Sequence, residues 1–198
     1  MNKKIVVGVI AVVVLGVAAF AAYKVVSIRR EAAKWAGPMK EIVDETVTHE
    51  DSVTRTRFVS MVNAPLAAVE KAIWDVENSQ NTVENIKMSK LLESKDNTKL
   101  VEINLESLNL PLQNFTMLWT LYAQEHRITF KTVKSQAQDI EGEYRFEASP
   151  DGAKTQITYT SVSKDKIAVP FPQSVLDSAN RETYVNTIRG LEKSLKKG

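Results

Sequence analysis

The chain has 198 residues, of which 43% are hydrophobic and 25% are charged, a composition typical of one globular domain with an additional segment. Its formal net charge is +2, but residues 1–36 carry +5 and residues 37–198 carry −3. Because a nucleic-acid-binding domain carries clustered Lys and Arg, this charge distribution argues against nucleic acid as a partner.

The chain begins with an uninterrupted run of apolar and small residues from Ile5 to Tyr23. As a helix these 19 residues would span about 28 Å, against a hydrocarbon core of about 30 Å. We therefore predict that residues 1–36 form a single-pass signal-anchor, with a transmembrane helix in the lipid bilayer and a juxtamembrane helix over Ser27–Lys34. The competing interpretation is a cleaved secretory signal, because Lys3 and Lys4 precede the run and Ala19-Phe20-Ala21 fits a cleavage site.

The orientation of this anchor rests on a small charge difference. Two lysines and the amino terminus lie before the apolar run, and four basic residues between Lys24 and Lys34 lie after it, so the positive-inside rule is nearly balanced. We predict that the soluble domain is periplasmic or extracytoplasmic. The absence of cysteines is compatible with either side of the membrane. Gly37-Pro38 stops the helix, so the second domain should cover residues 37–198.

The second domain is rich in strand patterns. A long strand is predicted over Val47–Val62, followed by a helix from Pro65 to Asn78 and a short helical turn at Thr82–Asn85. Alternation with a period of two then predicts six further strands joined by short polar breaks, as in an antiparallel meander. These strands are Ile86–Ser94, Lys99–Ser107, Gln113–Gln124, Arg127–Ala137, Ile140–Ser149 and Lys154–Lys164.

A long amphipathic helix is predicted from Pro172 to Lys197. One face carries Leu176, Tyr184 and Leu191 together with a polar strip of Asn180, Thr183 and Thr187. Since the chain offers few helices as partners, this face should lie against the sheet. Buried polar groups need partners, so sheet side chains, water or an oxygen atom of a ligand should meet Asn180.

The strand alternation predicts one apolar, aromatic sheet face and one charged face. The residues expected to face inward include Phe115, Met117, Trp119, Phe130, Tyr144, Phe146 and Tyr159. These side chains could simply form the core. The hypothesis that they line a cavity depends on what fills the space beneath the final helix.

The chain has a strand that ends in Val62-Asn63-Ala64-Pro65, a helix with the spacing Val69-x3-Ile73-x-Asp75, six further strands and a long last helix. This order of elements resembles the START/Bet v 1-like superfamily, also called SRPBCC or polyketide cyclase/dehydrase-like proteins. The resemblance covers about residues 46–197. It implies an α+β helix-grip fold, in which a seven-stranded antiparallel sheet wraps around the C-terminal helix and leaves a cavity. Members of the superfamily include lipid and sterol carriers, quinone-binding proteins and some cyclases or hydrolases, so the fold does not decide the function.

On this basis we predict membrane-tethered binding or transfer of a lipid, a sterol-like compound or an isoprenoid quinone. The inward residues above are expected to contact this apolar or amphipathic ligand, with Leu176, Asn180, Thr183, Tyr184 and Thr187 from the helix. The loop Ile167-Ala168-Val169-Pro170-Phe171-Pro172 is unusually apolar, and the resemblance puts it at the cavity mouth, where Phe171 would be part of a gate.

The sequence offers little for catalysis. It contains neither a Gly-x-Gly-x-x-Gly nor a Gly-x-Ser-x-Gly motif, and we expect His49 and His126 to be solvated surface residues. No catalytic residue, cofactor or metal site is predicted. Two alternatives stay open: a scaffold or assembly factor with a membrane-protein partner, and a cyclase-like enzyme.

Overall fold

The computed structural model describes residues 23–24, 26–27, 32–37, 39–106, 111–167 and 171–196. The contacts divide the chain into two compact units, Met1–Pro38 and Met39–Gly198. In the first unit, residues 23–24, 26–27 and 32–36 are helical. The predicted membrane span lies outside the described residues except for Tyr23, so it stays a prediction. Among the helices that are described, none is long and apolar enough to cross a membrane.

The second unit is built on one antiparallel sheet of eight described strands. These are β1 Asp44–Glu50, β2 Val53–Val62, β3 Ile86–Lys95, β4 Thr98–Leu105, β5 Gln113–Tyr122, β6 Arg127–Ser135, β7 Gln138–Ala148 and β8 Thr155–Asp165. Their spatial order is β1-β2-β8-β7-β6-β5-β4-β3. β3 to β8 form the predicted meander, and β2 pairs with β8, the last strand of this meander.

The prediction of seven strands is wrong by one, because the long first strand is a hairpin. β1 and β2 pair in register from Asp44 with Val59 to Glu50 with Val53, around a turn at Asp51 and Ser52. Asp51 has a φ of 53°, a left-handed conformation that Asp tolerates better than most residues. A turn without glycine gave no strong signal in the sequence.

Two α-helices flank the sheet. The first, α1 at Leu66–Trp74, begins after Pro65 as predicted but ends earlier, and a 3-10 helix follows at Val76–Asn81. The C-terminal helix, α2, extends over Gln173–Leu195. Residues 82–85 form turns rather than the predicted helical turn.

The buried stripe of α2 is rotated from the predicted one. Its centre is formed by Ala179, Tyr184, Ile188 and Leu191, of which Ile188 is fully buried. The strip of Asn180, Thr183 and Thr187 lies beside this stripe and is only partly buried. Gly190 explains the close packing at the far end of α2, because a Cβ there would lie 2.5 Å from the carbonyl oxygen of Thr82.

Three polar contacts join α2 to the edge of the sheet at β1 and the residues before it. The Arg189 Nε donates to Glu41 at 3.0 Å and the Arg181 Nε to Glu45 at 2.9 Å. His49 pairs with Asp177 at 3.2 Å. Because these groups are substantially exposed, each pair contributes little free energy, but together they define the position of the helix along β1.

Candidate functional site

The inner face of the sheet, which is the face against α2, carries six aromatic side chains in one cluster that we call the aromatic core. Neighbouring rings have centroids 4.9 to 6.3 Å apart. Such distances suit the stacked and tilted arrangements that aromatic pairs prefer. The members are Phe58, Trp119, Phe130, Tyr144, Tyr159 and Tyr184. The middle of the space between sheet and helix is therefore filled with side chains.

A glycine in β7 makes room for this cluster. Gly142 is the cross-strand neighbour of Phe130, and a Cβ at that position would lie 2.6 Å from Phe130 Cζ and 2.2 Å from the carbonyl oxygen of Thr160. Both distances are shorter than van der Waals contact. The ring of Phe130 can lie flat in the core because residue 142 has no side chain.

A cleft of about 850 Å³ opens at the end of the sheet where α2 begins. Pockets for small molecules usually measure about 300–1,000 Å³, so the volume fits one ligand. An apolar wall is formed by Leu105, Phe115, Ile140, Phe171 and Leu176. The polar groups of the cleft include Gln113, Gln138, Ser161, Ser163, Asp165, Asp177, Asn180 and Thr183. The cleft is thus amphipathic rather than uniformly apolar.

The polarity of the cleft changes along β8. The residues of this strand that line the cleft are, in order, Tyr159, Ser161, Ser163 and Asp165. At about 3.4 Å per residue, the Cα atoms of Tyr159 and Asp165 lie roughly 20 Å apart. The aromatic core closes the cleft at Tyr159, and a carboxylate lies at the opposite end.

Most hydrogen bonds of the polar strip of α2, formed by Asn180, Thr183 and Thr187, are made to other groups of the protein. The Asn180 Nδ2 donates to Thr56 Oγ1 at 2.9 Å. Thr183 Oγ1 accepts a 2.9 Å hydrogen bond from Asn85 Nδ2 and donates to the carbonyl oxygen of Ala179. Thr187 donates back to the carbonyl oxygen of Thr183. Two amides that line the cleft keep an oxygen without a hydrogen-bond partner among the described residues. These oxygens are Asn180 Oδ1 and the buried Asn104 Oδ1.

The predicted ligand-contact residues divide into two groups. Six line the cleft: Phe115, Tyr159, Phe171, Leu176, Asn180 and Thr183. The others lie in the packed interior or on the flank of the helix. These are Met117, Trp119, Phe130, Tyr144, Phe146, Tyr184 and Thr187, and all except Thr187 are no more than 8% exposed.

Several polar residues of the cleft, above all Gln138, Ser163 and Asp165, are not among the residues predicted from the sequence. The alternation of β8 did contain a signal, because Ser161, Ser163 and Asp165 share the inward parity of Ile157 and Tyr159. The predicted gate remains open to test. Phe171 and Ile167 line the cleft, whereas Ala168, Val169 and Pro170 lie outside the described residues.

Burial keeps the tyrosines of the aromatic core neutral. Desolvation, together with the nearby phenols of Tyr159 and Tyr184, raises the pKa of Tyr144 well above its usual value. Desolvation also raises the pKa of Tyr184, although the Ser60 hydroxyl at 2.7 Å opposes it. Ser60 Oγ itself donates to the carbonyl oxygen of Glu41, so the Tyr184 hydroxyl donates to Ser60. These phenols are hydrogen-bonding groups rather than bases at neutral pH.

His49 is exposed, as expected for a surface residue. Its ring contacts two residues of the cleft, with Nδ1 3.0 Å from Thr54 Oγ1 and Nε2 3.2 Å from Asp177 Oδ2. His126 is exposed as well, with 52% of its side chain accessible in the turn before β6. Among the described residues, no group of three or more His, Asp and Glu could hold a metal ion.

The outer face of the sheet carries a second, more open groove of about 690 Å³. Charged residues of both signs line it, among them Arg55, Arg57, Lys131, Glu141 and Glu143. It therefore corresponds to the charged face predicted from the alternation. Compared with the cleft, it offers a ligand little shelter from water.

No family model matches the sequence, and no curated protein sequence matches it. Solved structures do match it. The aromatase/cyclase Zhui from Streptomyces sp. R1128 has a TM-score of 0.64 at 15% identity, over 73% of this chain and 94% of that one. A START superfamily protein from Mycobacterium smegmatis has a TM-score of 0.59 at 14% identity, over 72% and 97%.

A STAR-related lipid transfer protein from Xanthomonas axonopodis has a TM-score of 0.57 at 14% identity, over 77% of this chain and 98% of that one. The fold is that of the START/Bet v 1-like superfamily. At these identities the likeness establishes the helix-grip architecture and not the activity. In this domain the interior is largely filled by the aromatic core, so the cleft beside Tyr159 is the candidate site.

Proposed function

We propose that the domain binds an amphipathic, hydrophobic small molecule in the cleft beside the start of α2. The observation that carries this proposal is the amphipathic lining, with an apolar wall at Phe115 and Leu176 and polar groups towards Asp165. The helix-grip fold supports it, since it suggests binding of hydrophobic ligands or cyclase-like activity.

The driving force for binding would be desolvation of the ligand's apolar part. Transfer from water contributes about 25 cal/mol per Å² of apolar surface buried. The polar groups of the cleft would orient the ligand, because burying its head without a hydrogen bond would cost about 1–3 kcal/mol. The free Asn180 Oδ1 is one such group, and it fits a ligand that carries a hydroxyl or another donor.

Membrane tethering is the second part of the proposal. The run from Ile5 to Tyr23 would keep the cleft close to a bilayer, which is the source of the ligand. We expect the full-length protein to resist extraction by alkaline carbonate. A mature amino terminus at Ala22 would show instead that the run is a cleaved signal peptide.

Native mass spectrometry of the full-length protein, released from lipid nanodiscs, tests the binding function. The protein should carry one apolar ligand per chain, and Leu176→Asp should abolish this extra mass. Ser178→Asp is the matched control, because it adds the same charge two residues away at an exposed position that does not line the cleft. An empty wild-type protein, or equal occupancy in both variants, would contradict the proposal.

Cyclase-like chemistry is a second candidate function, and one contact favours it. His49 joins the Thr54 hydroxyl to the Asp177 carboxylate at the border of the cleft, an arrangement that can move a proton. If the ligand recovered from the protein is a substrate, incubation should convert it, and His49→Gln should stop conversion without reducing occupancy. A ligand that stays unchanged in the wild-type protein would rule out this candidate.

A further inference from the structure

The carboxylate of Asp165 has no hydrogen-bond or ion-pair partner in the part of the chain that the structure describes. Neighbouring acidic residues differ in this respect: Asp139 pairs with Lys166 at 2.6 Å and Asp177 with His49 at 3.2 Å. Asp165 is half-buried at the end of β8 and lines the cleft. Desolvation raises its pKa, with no contribution from a nearby charge. The Asp165 carboxylate is therefore available to pair with a cationic group in the cleft.

The charges of the side chains that line the cleft also favour a cationic group. Its lining includes three carboxylates, those of Glu102, Asp165 and Asp177, and one ammonium group, that of Lys134. Strand parity places Glu102 and Lys134 on the outer face, beside β5, so they lie away from Asp165. The inner part of the cleft is therefore anionic. A fatty acid or another anionic head would meet repulsion there.

We propose that the cleft selects amphiphiles with a protonated amine as the head group, and that Asp165 is the counter-ion of this head. The inference rests on the proposed binding function and names the ligand class for the same cleft. An ammonium group has three donors, and the Asp165 carboxylate and the Ser163 hydroxyl can both accept from it. The tail would extend along β8 towards Tyr159, over the roughly 20 Å that separates the two residues.

The experiment compares three probes with the same tail: decylammonium, 1-decanol and decanoate. The full-length protein in nanodiscs carries an environment-sensitive dye on Gln136→Cys, an exposed position at the cleft that can be labelled selectively because the chain has no other cysteine. Titration at pH 7 gives a Kd for each probe. Empty nanodiscs and a dye-labelled protein with Leu176→Asp correct for partition into the bilayer.

Decylammonium should bind at least about tenfold more tightly than decanoate, with decanol between them. Asp165→Asn keeps the shape of the side chain and should bring the three Kd values within about twofold of one another. Asp139→Asn is the matched control, because it removes a carboxylate from the exposed residue next to Gln138 and should leave the preference intact.

The possible failures are distinguishable. If all three probes bind with equal Kd, the cleft binds apolar tails and the proposed function survives, but the amine preference is wrong. If the preference persists in Asp165→Asn, Asp165 is not the counter-ion and the inference is overturned. If no probe binds above the level of the Leu176→Asp variant, the proposed binding function itself fails.

Discussion

Tyr159 closes the cleft against the aromatic core, so replacing it should lengthen the cleft. Its ring lies between 5.1 and 6.1 Å from those of Phe58, Phe130, Tyr144 and Tyr184, while the residue also lines the cleft. Tyr159→Ala should open a path into the space that the ring now fills. Truncating a large buried aromatic residue costs about 3–5 kcal/mol, and partial exposure of Tyr159 puts the expected loss at the low end.

The assay is the Kd of a series of 1-alkanols of increasing length, titrated against the wild type and the variant. Each additional buried methylene contributes about 0.8 kcal/mol, so a tail two methylenes longer should gain about 1.6 kcal/mol, or roughly 15-fold in Kd. In the wild type this gain should stop at a shorter tail than in Tyr159→Ala. Folding of the variant is checked by circular dichroism at the temperature of the titration.

Phe146→Ala is the matched control, since Phe146 is 6% exposed and does not line the cleft. It should cost similar stability and leave the optimal tail length unchanged. An optimum that is the same in folded Tyr159→Ala and the wild type would refute the position assigned to the tail.

Three further predictions follow from individual residues. Gly142→Ala should lower the free energy of unfolding by about 1–3 kcal/mol, because its Cβ would overlap Phe130 and Thr160. The measurement is chemical denaturation, and an unchanged free energy of unfolding would show that the core can expand around the added methyl group. Burial raises the pKa of Asp165 above 3.8, so its ionisation costs stability as the pH rises through that window. Asp165→Asn should therefore stabilise the protein at pH 7 and not at pH 3, and an equal melting-temperature shift at both pH values would contradict this. Phe171→Asp should slow ligand transfer between vesicles with an almost unchanged melting temperature, and a large loss of stability would show that Phe171 belongs to the core.

Much of the architecture could be predicted because the sequence alternates cleanly. The inward parity of Phe115, Met117 and Trp119 and of Tyr144 and Phe146 is confirmed by their burial. The first hairpin could not be found in this way. Its turn at Asp51 and Ser52 lacks the glycine that usually marks a two-residue loop, and strand-like residues continue on both sides.

The site was harder to predict than the fold, because parity tells which face a side chain is on and not what it touches. Trp119 and Tyr159 share the inner face, yet only Tyr159 reaches the cleft. The difference depends on how far each residue lies from the start of α2 and on the aromatic neighbours around it. Likewise, Asn180 was expected to need a partner, but only the folded chain brings Thr56 to within 2.9 Å of it.

Photo-crosslinking would show where the tail of a bound amphiphile lies in the domain. An amphiphile with a sixteen-carbon tail, long enough to cover the roughly 20 Å between Asp165 and Tyr159, would carry a diazirine at the end of that tail. It would be bound to the full-length protein and irradiated, and the adducts would be mapped by peptide mass spectrometry. If the tail lies in the cleft, there should be one main adduct, on the residues around Tyr159 and Phe115, which Leu176→Asp should remove. Adducts spread over the outer face around Leu118 and Val162, or a pattern that Leu176→Asp does not change, would show that the tail does not bind in the cleft.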